Sequence, residues 1–213
     1  MHLRNNMRFS LYITALVVML GLAAGCPHRG GPAAPPQSTT AFSAELGIRL
    51  TYSPEEFSSI SSTGGNEFPL TFTGKDYKLG IKRIGNVGIL LQKEPQADFF
   101  KFFAQQVRFD MVDRDKLTPI GQEVDEEFQA QGKPGLRQVL HFTIPKDISS
   151  LPEYLPKEPG KEIWIYYHHF YYKPDYYFFV AISGQQLDKA KLDGIVSLIN
   201  SAQFQAQPLP GGK

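Results

Sequence analysis

Three sets of side chains in the 213-residue sequence are of types that do chemistry: one cysteine, five histidines and a cluster of carboxylates. Cys26 is the sole cysteine, so no intramolecular disulfide can form and its thiol is left for modification. Of the histidines His2, His28, His141, His168 and His169, the first two lie ahead of any folded region. His168 and His169 are neighbours in a strand-type run, so they point to opposite faces and cannot share one ion; either of them with His141 and a carboxylate would make a metal site only if their strands pair. Glu123, Asp125, Glu126 and Glu127 have the types for acid–base work or for holding a hard cation, but no second ligand set stands near them, and a solvated edge strand is the expected reading. The sequence has no glycine-rich phosphate loop, nucleophile elbow or metalloprotease helix motif, so no catalytic residue, metal or cofactor is expected.

The surroundings of Cys26 say more. A basic head with Arg4 and Arg8 precedes an uncharged run from Phe9 to Ala24, which is the layout of an export signal. Sixteen residues fall short of the roughly 20 that a spanning helix needs. The run closes on Leu22, Ala23, Ala24, Gly25 and Cys26, and this ending resembles the modification site of a bacterial lipoprotein. The resemblance implies cleavage between Gly25 and Cys26, a diacylglyceryl thioether on the cysteine and a further chain on the new amino group. One acyl chain holds a protein to a bilayer only marginally, whereas two or three hold it stably. Pro27 stands where an aspartate would mark inner-membrane retention, which resembles outer-membrane sorting in a two-membrane bacterium.

Residues 1–25 are therefore expected to be a signal peptide, and 26–40 a lipidated cysteine with a proline- and glycine-rich tether that has too little apolar surface to fold. Residues 41–206 form one domain and 207–213 a loose tail. With 22 Lys and Arg against 21 Asp and Glu, there is no basic excess to attract nucleic acid.

Periodicity supplies the elements that must position the side chains. Leu46, Ile48, Leu50 and Tyr52 alternate as a half-buried strand; Phe68, Leu70 and Phe72 do so again, and Tyr77, Leu79 and Ile81 are expected to pair with Val87 to Leu91 across Gly85 and Asn86. From Pro95 the period becomes helical, with Phe99, Phe100, Phe103, Val107 and Met111 on one stripe and Phe102 and Phe109 widening it. Strand character returns in Leu136 to Ile144. Pro152, Pro156 and Pro159 make the following stretch a loop, in which Leu151, Tyr154 and Leu155 would either cover the core or form a contact surface.

Ile163 to Tyr172 and Tyr176 to Ile182 read as a hairpin whose first strand is apolar on both faces, so it belongs in the middle of a sheet covered on both sides. A last helix carries Leu187, Ala190, Ile195, Leu198 and Ile199 on its apolar side. The hairpin's phenols are too numerous for a dry core unless each finds a partner. Tyr171, Tyr172, Tyr176 and Tyr177 are therefore expected to reach solvent near the turn and, with Tyr154 of the loop, to form an interface.

The order of elements, with an opening strand ending at Tyr52, Ser53 and Pro54, a helix after several strands, the long hairpin and a closing helix that runs into Phe204, resembles the PsbP-like superfamily and the DcrB-type bacterial lipoproteins that share its fold. The resemblance implies an α+β fold, an antiparallel sheet with helices on its faces, and carries no catalytic site with it. The expectation for function is a noncatalytic, membrane-anchored lipoprotein that binds an envelope protein partner or maintains an assembly. A carrier or sensor of a small apolar ligand is the alternative, and a metal-dependent hydrolase a third reading.

Overall fold

The computed structural model describes residues 38–62, 67–85, 87, 97–149 and 151–205. The signal-type run, Gly25, Cys26 and nearly all of the expected tether lie outside the described residues, as do 88–91 of the strand expected after Gly85 and Pro95 of the expected helix start. Strand pairing begins at Thr39, two residues before the expected domain boundary: β1 (Thr39–Ser43) lies antiparallel to β2 (Ile48–Tyr52), and the two-residue β11 (Gln203–Phe204) closes a three-stranded sheet on the other side of β2.

The second sheet has eight strands, all paired antiparallel. β3 (Phe57–Ser61), β4 (Leu70–Gly74), β5 (Tyr77–Ile84), β10 (Asp175–Ser183), β9 (Glu162–Tyr172) and β8 (Lys133–Thr143) follow one another across it. Beyond β8, the short β6 (Thr118–Pro119) and β7 (Val124–Ala130) share its outer edge. The acidic stretch is thus the edge strand it was expected to be: residues 124–127 are exposed, and charges there discourage pairing with another chain.

The two-faced hairpin takes the central place its composition requires. Tyr166, Phe170, Tyr177, Phe179 and Ala181 enter a core with the small sheet and with α2 (Lys189–Ser201), while Ile163, Ile165, Tyr167, Tyr176, Phe178 and Val180 enter a second core with α1 (Ala97–Phe109) and the proline-rich loop. Period-2 alternation in β9 and β10 is what splits one strand pair between two cores.

α2 starts where the Asp188 carboxylate accepts the Lys191 amide at 2.9 Å, and it buries Ile195, Leu198 and Ile199. Ala190, expected on the buried side, is exposed because it falls in the first turn, before the helix meets the sheet. α1 buries Phe100 and Ala104, and a π-helical turn (Asp110–Arg114) prolongs it and buries Met111. Phe102 and Phe109 do not widen the buried stripe; they stand 62% and 59% exposed on the outer side of the helix. Leu151 and Leu155 are buried, so the loop covers the core. Its neck is tied by Gly160 N–H to Ile144 O and Ile144 N–H to Lys161 O, both at 2.9 Å.

Candidate binding cleft

Two glycines let aromatic rings lie directly on the large sheet. Phe68 covers Gly80 of β5, where a Cβ would come within 2.5 Å of its ring, and on the opposite face Phe128 of β7 covers its cross-strand partner Gly135 of β8 in the same way. Tyr154 of the loop then meets Phe68 edge-on, with centroids 4.8 Å apart. This pair forms a wall that separates two adjoining clefts on the α1 face.

The first cleft holds about 210 Å³. Its floor is Tyr167, Phe178, Val180 and Met111, its side is Phe103 and Val107 of α1, and its rim carries Glu67, Lys82, Asp110 and Arg114. Arg114 lies between two carboxylates: it grips the buried Asp115 with two bonds, at 2.7 and 3.1 Å, and approaches Asp110 at 3.6 Å. Partial loss of water pushes the Glu67 carboxyl up, against the pull of Lys82 and Arg114. Tyr154 and Tyr167 share a hydrogen bond, and burial raises both phenols. The second cleft, of about 580 Å³, lies beyond the wall over Thr71, Lys78, Gly80 and Ile182. The arrangement offers apolar contact with charged groups at the rim; it is a shape for holding a molecule. Only Tyr154 among the expected site residues lines it.

The hairpin tyrosines are placed differently from the expectation. Tyr171, Tyr176 and Tyr177 are buried, and their phenols do not reach solvent. The reason is that the fold supplies partners: Tyr176 meets His169 Nδ1 of the neighbouring strand at 3.0 Å, while residues outside the hairpin serve Tyr177, which donates to Leu46 O at 3.1 Å, and Tyr166, whose hydroxyl accepts the Leu187 amide at 2.7 Å. Tyr172 is half-buried, with its ring stacked on Phe204 at 4.1 Å and under the Lys133 ammonium. Of the five expected contact residues, Tyr172 and Tyr154 alone keep exposed surface.

The histidines stay apart. His141 stacks on Trp164 at 3.9 Å with Nε2 3.2 Å from Glu162, and His169 bridges Tyr176 and Gln138, whose amide donates to Ala104 O of α1 at 2.9 Å. His168 faces the other core beside Phe128, and neither ring nitrogen finds a hydrogen-bond partner among the described residues. Burial lowers both to a pKa of about 3; at His168 the Arg137 charge adds to this, and the backbone of Phe179 and Tyr166 only weakly opposes it. Among the described residues no three histidine or acidic side chains gather as a metal would need. No helix among them is long and apolar enough to cross a membrane.

Phe103, Val107 and Met111 are legible in the sequence as a helix stripe, whereas Phe68, expected to alternate with Leu70 and Phe72, lies ahead of β4 and enters the other core, where it covers Gly80; an isolated glycine inside a strand pattern is the local sign of that close approach.

No protein-family model matches the chain, and no curated protein matches it. Among solved structures it is similar to the solution structure of cyanobacterial PsbP from Synechocystis sp. PCC 6803. The TM-score is 0.41 at 12% identity, over 83% of this chain and 98% of that one.

Proposed function

We propose that this chain is a noncatalytic binding module, tethered to a bacterial membrane by lipid on Cys26, that contacts another component of the envelope. The tethering half rests on the sequence: a lone cysteine after Ala23, Ala24 and Gly25, at the end of an uncharged run and thirteen residues ahead of β1. Fully extended at about 3.5 Å per residue, that stretch lets the domain stand off the bilayer by some tens of ångströms. Pro27 after the cysteine favours the outer membrane where there is one.

The observation that carries the contact half is the pair Phe102 and Phe109. Seven residues apart on α1, they stand exposed on its outer side, while the helix's other large apolar side chains, Phe99, Phe100, Phe103 and Val107, find at least partial cover. Two exposed rings two turns apart on one helix suit an interface anchor, because aromatic side chains bury much area and freeze few rotamers. With the hairpin phenols turned inward, α1 takes the place the tyrosines were expected to fill.

The test is photocrosslinking in membranes from a benzophenone amino acid placed at position 102, with the same probe at exposed Lys189 of α2 as the comparison. A discrete envelope adduct from 102 and none from 189 supports contact through α1. Equal labelling from the two, or none from 102, removes that face as the interface. The alternative, a carrier of a small ligand, is favoured by the cleft beneath the same helix.

A further inference from the structure

We propose that the first cleft binds a single-ring aromatic zwitterion: a molecule with one apolar ring and a short tail bearing an ammonium and a carboxylate, as in a free aromatic amino acid. Size sets the first limit. A cavity of about 150 Å³ lined by apolar side chains takes up benzene, and this cleft holds about 210 Å³, enough for one ring with a short chain and too little for a lipid. The floor sets the second: Tyr167, Phe178 and Met111 present ring faces and a thioether, surfaces that favour an aromatic guest.

Charge sets the third. The Arg114 guanidinium is already matched by the carboxylates of Asp110 and Asp115, so these three side chains bring no unbalanced positive charge to the mouth. Glu67 and Lys82, by contrast, make no ion pair among the described residues, and both stand on the rim of this cleft. One unpaired carboxylate and one unpaired ammonium at the same mouth complement a tail with both charges, and a ligand with a single charge would leave one of them facing it unmatched. Glu67 is already partly stripped of water, so a ligand ammonium beside it replaces solvation that the site has lost.

The proposal rests on the binding-module reading only in taking the domain to be a binder. It needs neither the lipid nor the envelope partner.

The experiment is titration calorimetry of the full chain in detergent micelles with three probes: L-phenylalanine, phenethylamine, which lacks the carboxylate, and 3-phenylpropanoate, which lacks the ammonium. L-Phenylalanine should bind saturably, and each analogue at least tenfold more weakly. Glu67→Gln should weaken L-phenylalanine and phenethylamine at least tenfold and leave 3-phenylpropanoate unchanged; Lys82→Met should weaken L-phenylalanine and 3-phenylpropanoate at least tenfold and leave phenethylamine unchanged. Both positions are exposed, so the thermal transition should not move, and if either variant fails to fold the three probes on the unaltered chain still decide. Equal affinity for all three would reduce the site to an unselective apolar cleft and overturn the proposal, as would no saturable binding of L-phenylalanine. Either result with the crosslink from position 102 retained sinks the cleft proposal alone and leaves the binding module standing.

Discussion

His168 is the side chain with the least satisfied surroundings. It is fully buried on a central strand, its cross-strand neighbour is Arg137, and both ring nitrogens lack partners among the described residues. The fold therefore holds it neutral, with a pKa near 3, while the unfolded chain titrates near the ordinary 6.5. Between those values the unfolded state binds a proton that the folded state refuses, so the stability present above about pH 6.5 drains away as pH falls toward 3, at up to about 1.4 kcal/mol per pH unit. Replacing His168 with Phe removes the titrating group and the unpaired nitrogens together. The variant should lose less stability between pH 7 and pH 4 than the unaltered chain, read from urea midpoints; parallel curves would show that His168 is not held neutral. The phenylalanines of α1 allow a second comparison. Phe100 is 2% exposed, so Phe100→Ala should cost about 3–5 kcal/mol. Phe103 is half-buried, stacked on Tyr176 at 4.3 Å beside the cleft, and its truncation should cost about half as much. Equal costs in denaturant titrations would contradict the half-open position of Phe103.

Strands in this fold are joined to their covering layers through rings laid on glycines. Gly80 and Gly135 lack the side chain that would stand between Phe68 or Phe128 and the sheet. In Gly80→Ala the new methyl would lie 2.5 Å from the Phe68 ring, so the ring and with it the Tyr154 contact must shift. A destabilisation of about 1–3 kcal/mol is expected. It should shrink when Phe68→Ala is made in the same chain, because the two changes share one contact and will not add. Additive costs in that double-mutant cycle would mean that ring and glycine are independent. The same arrangement on opposite faces explains how a sheet with exposed acidic edges keeps a well-covered interior: Phe128 reaches from β7 over β8 and closes the core at that end.

At the scale of the molecule, the folded unit is set by β1. Thr39 and Thr40 pair with Tyr52 and Thr51, and Ala41 and Ser43 are buried against the small sheet. A chain starting at Ser38 should therefore unfold in one cooperative transition, and one starting at Ala44 should do so at a lower denaturant midpoint, since β2 would lose one of its two partners and keep only the short β11. Identical midpoints would show that β1 adds nothing. The membrane proposal is tested separately: Cys26→Ser should abolish acylation and leave any processed protein in the soluble fraction. An unmodified mature N-terminus in the unaltered protein, seen by mass spectrometry, would sink it.

Alternation alone determined much of the architecture. The two faces of Ile163 to Tyr172, the central position that follows from them, the acidic edge strand and the closing helix after Asp188 are local consequences of period and composition, and they stand in the structure as the pattern implies. What alternation does not encode is which layer arrives over a given residue. β1 and β3 are mostly polar and the two-residue β11 is too short, so none carries an apolar alternation; they exist because neighbouring strands pair with them. The Tyr177 phenol is buried because the Leu46 carbonyl comes within reach from the segment ahead of β2, and the Tyr176 phenol because α1 lays Phe100 and Phe103 over it while His169 of the paired strand takes its hydroxyl. Phe102 and Phe109 are exposed because the sheet covers only the stripe of Phe100, Phe103, Ala104 and Val107, and these two rings fall at its margin beside the polar side of the helix. The cleft likewise needs Glu67, Lys82, Phe103 and Tyr154, drawn from four separate segments, and only tertiary packing brings such distant positions to one mouth.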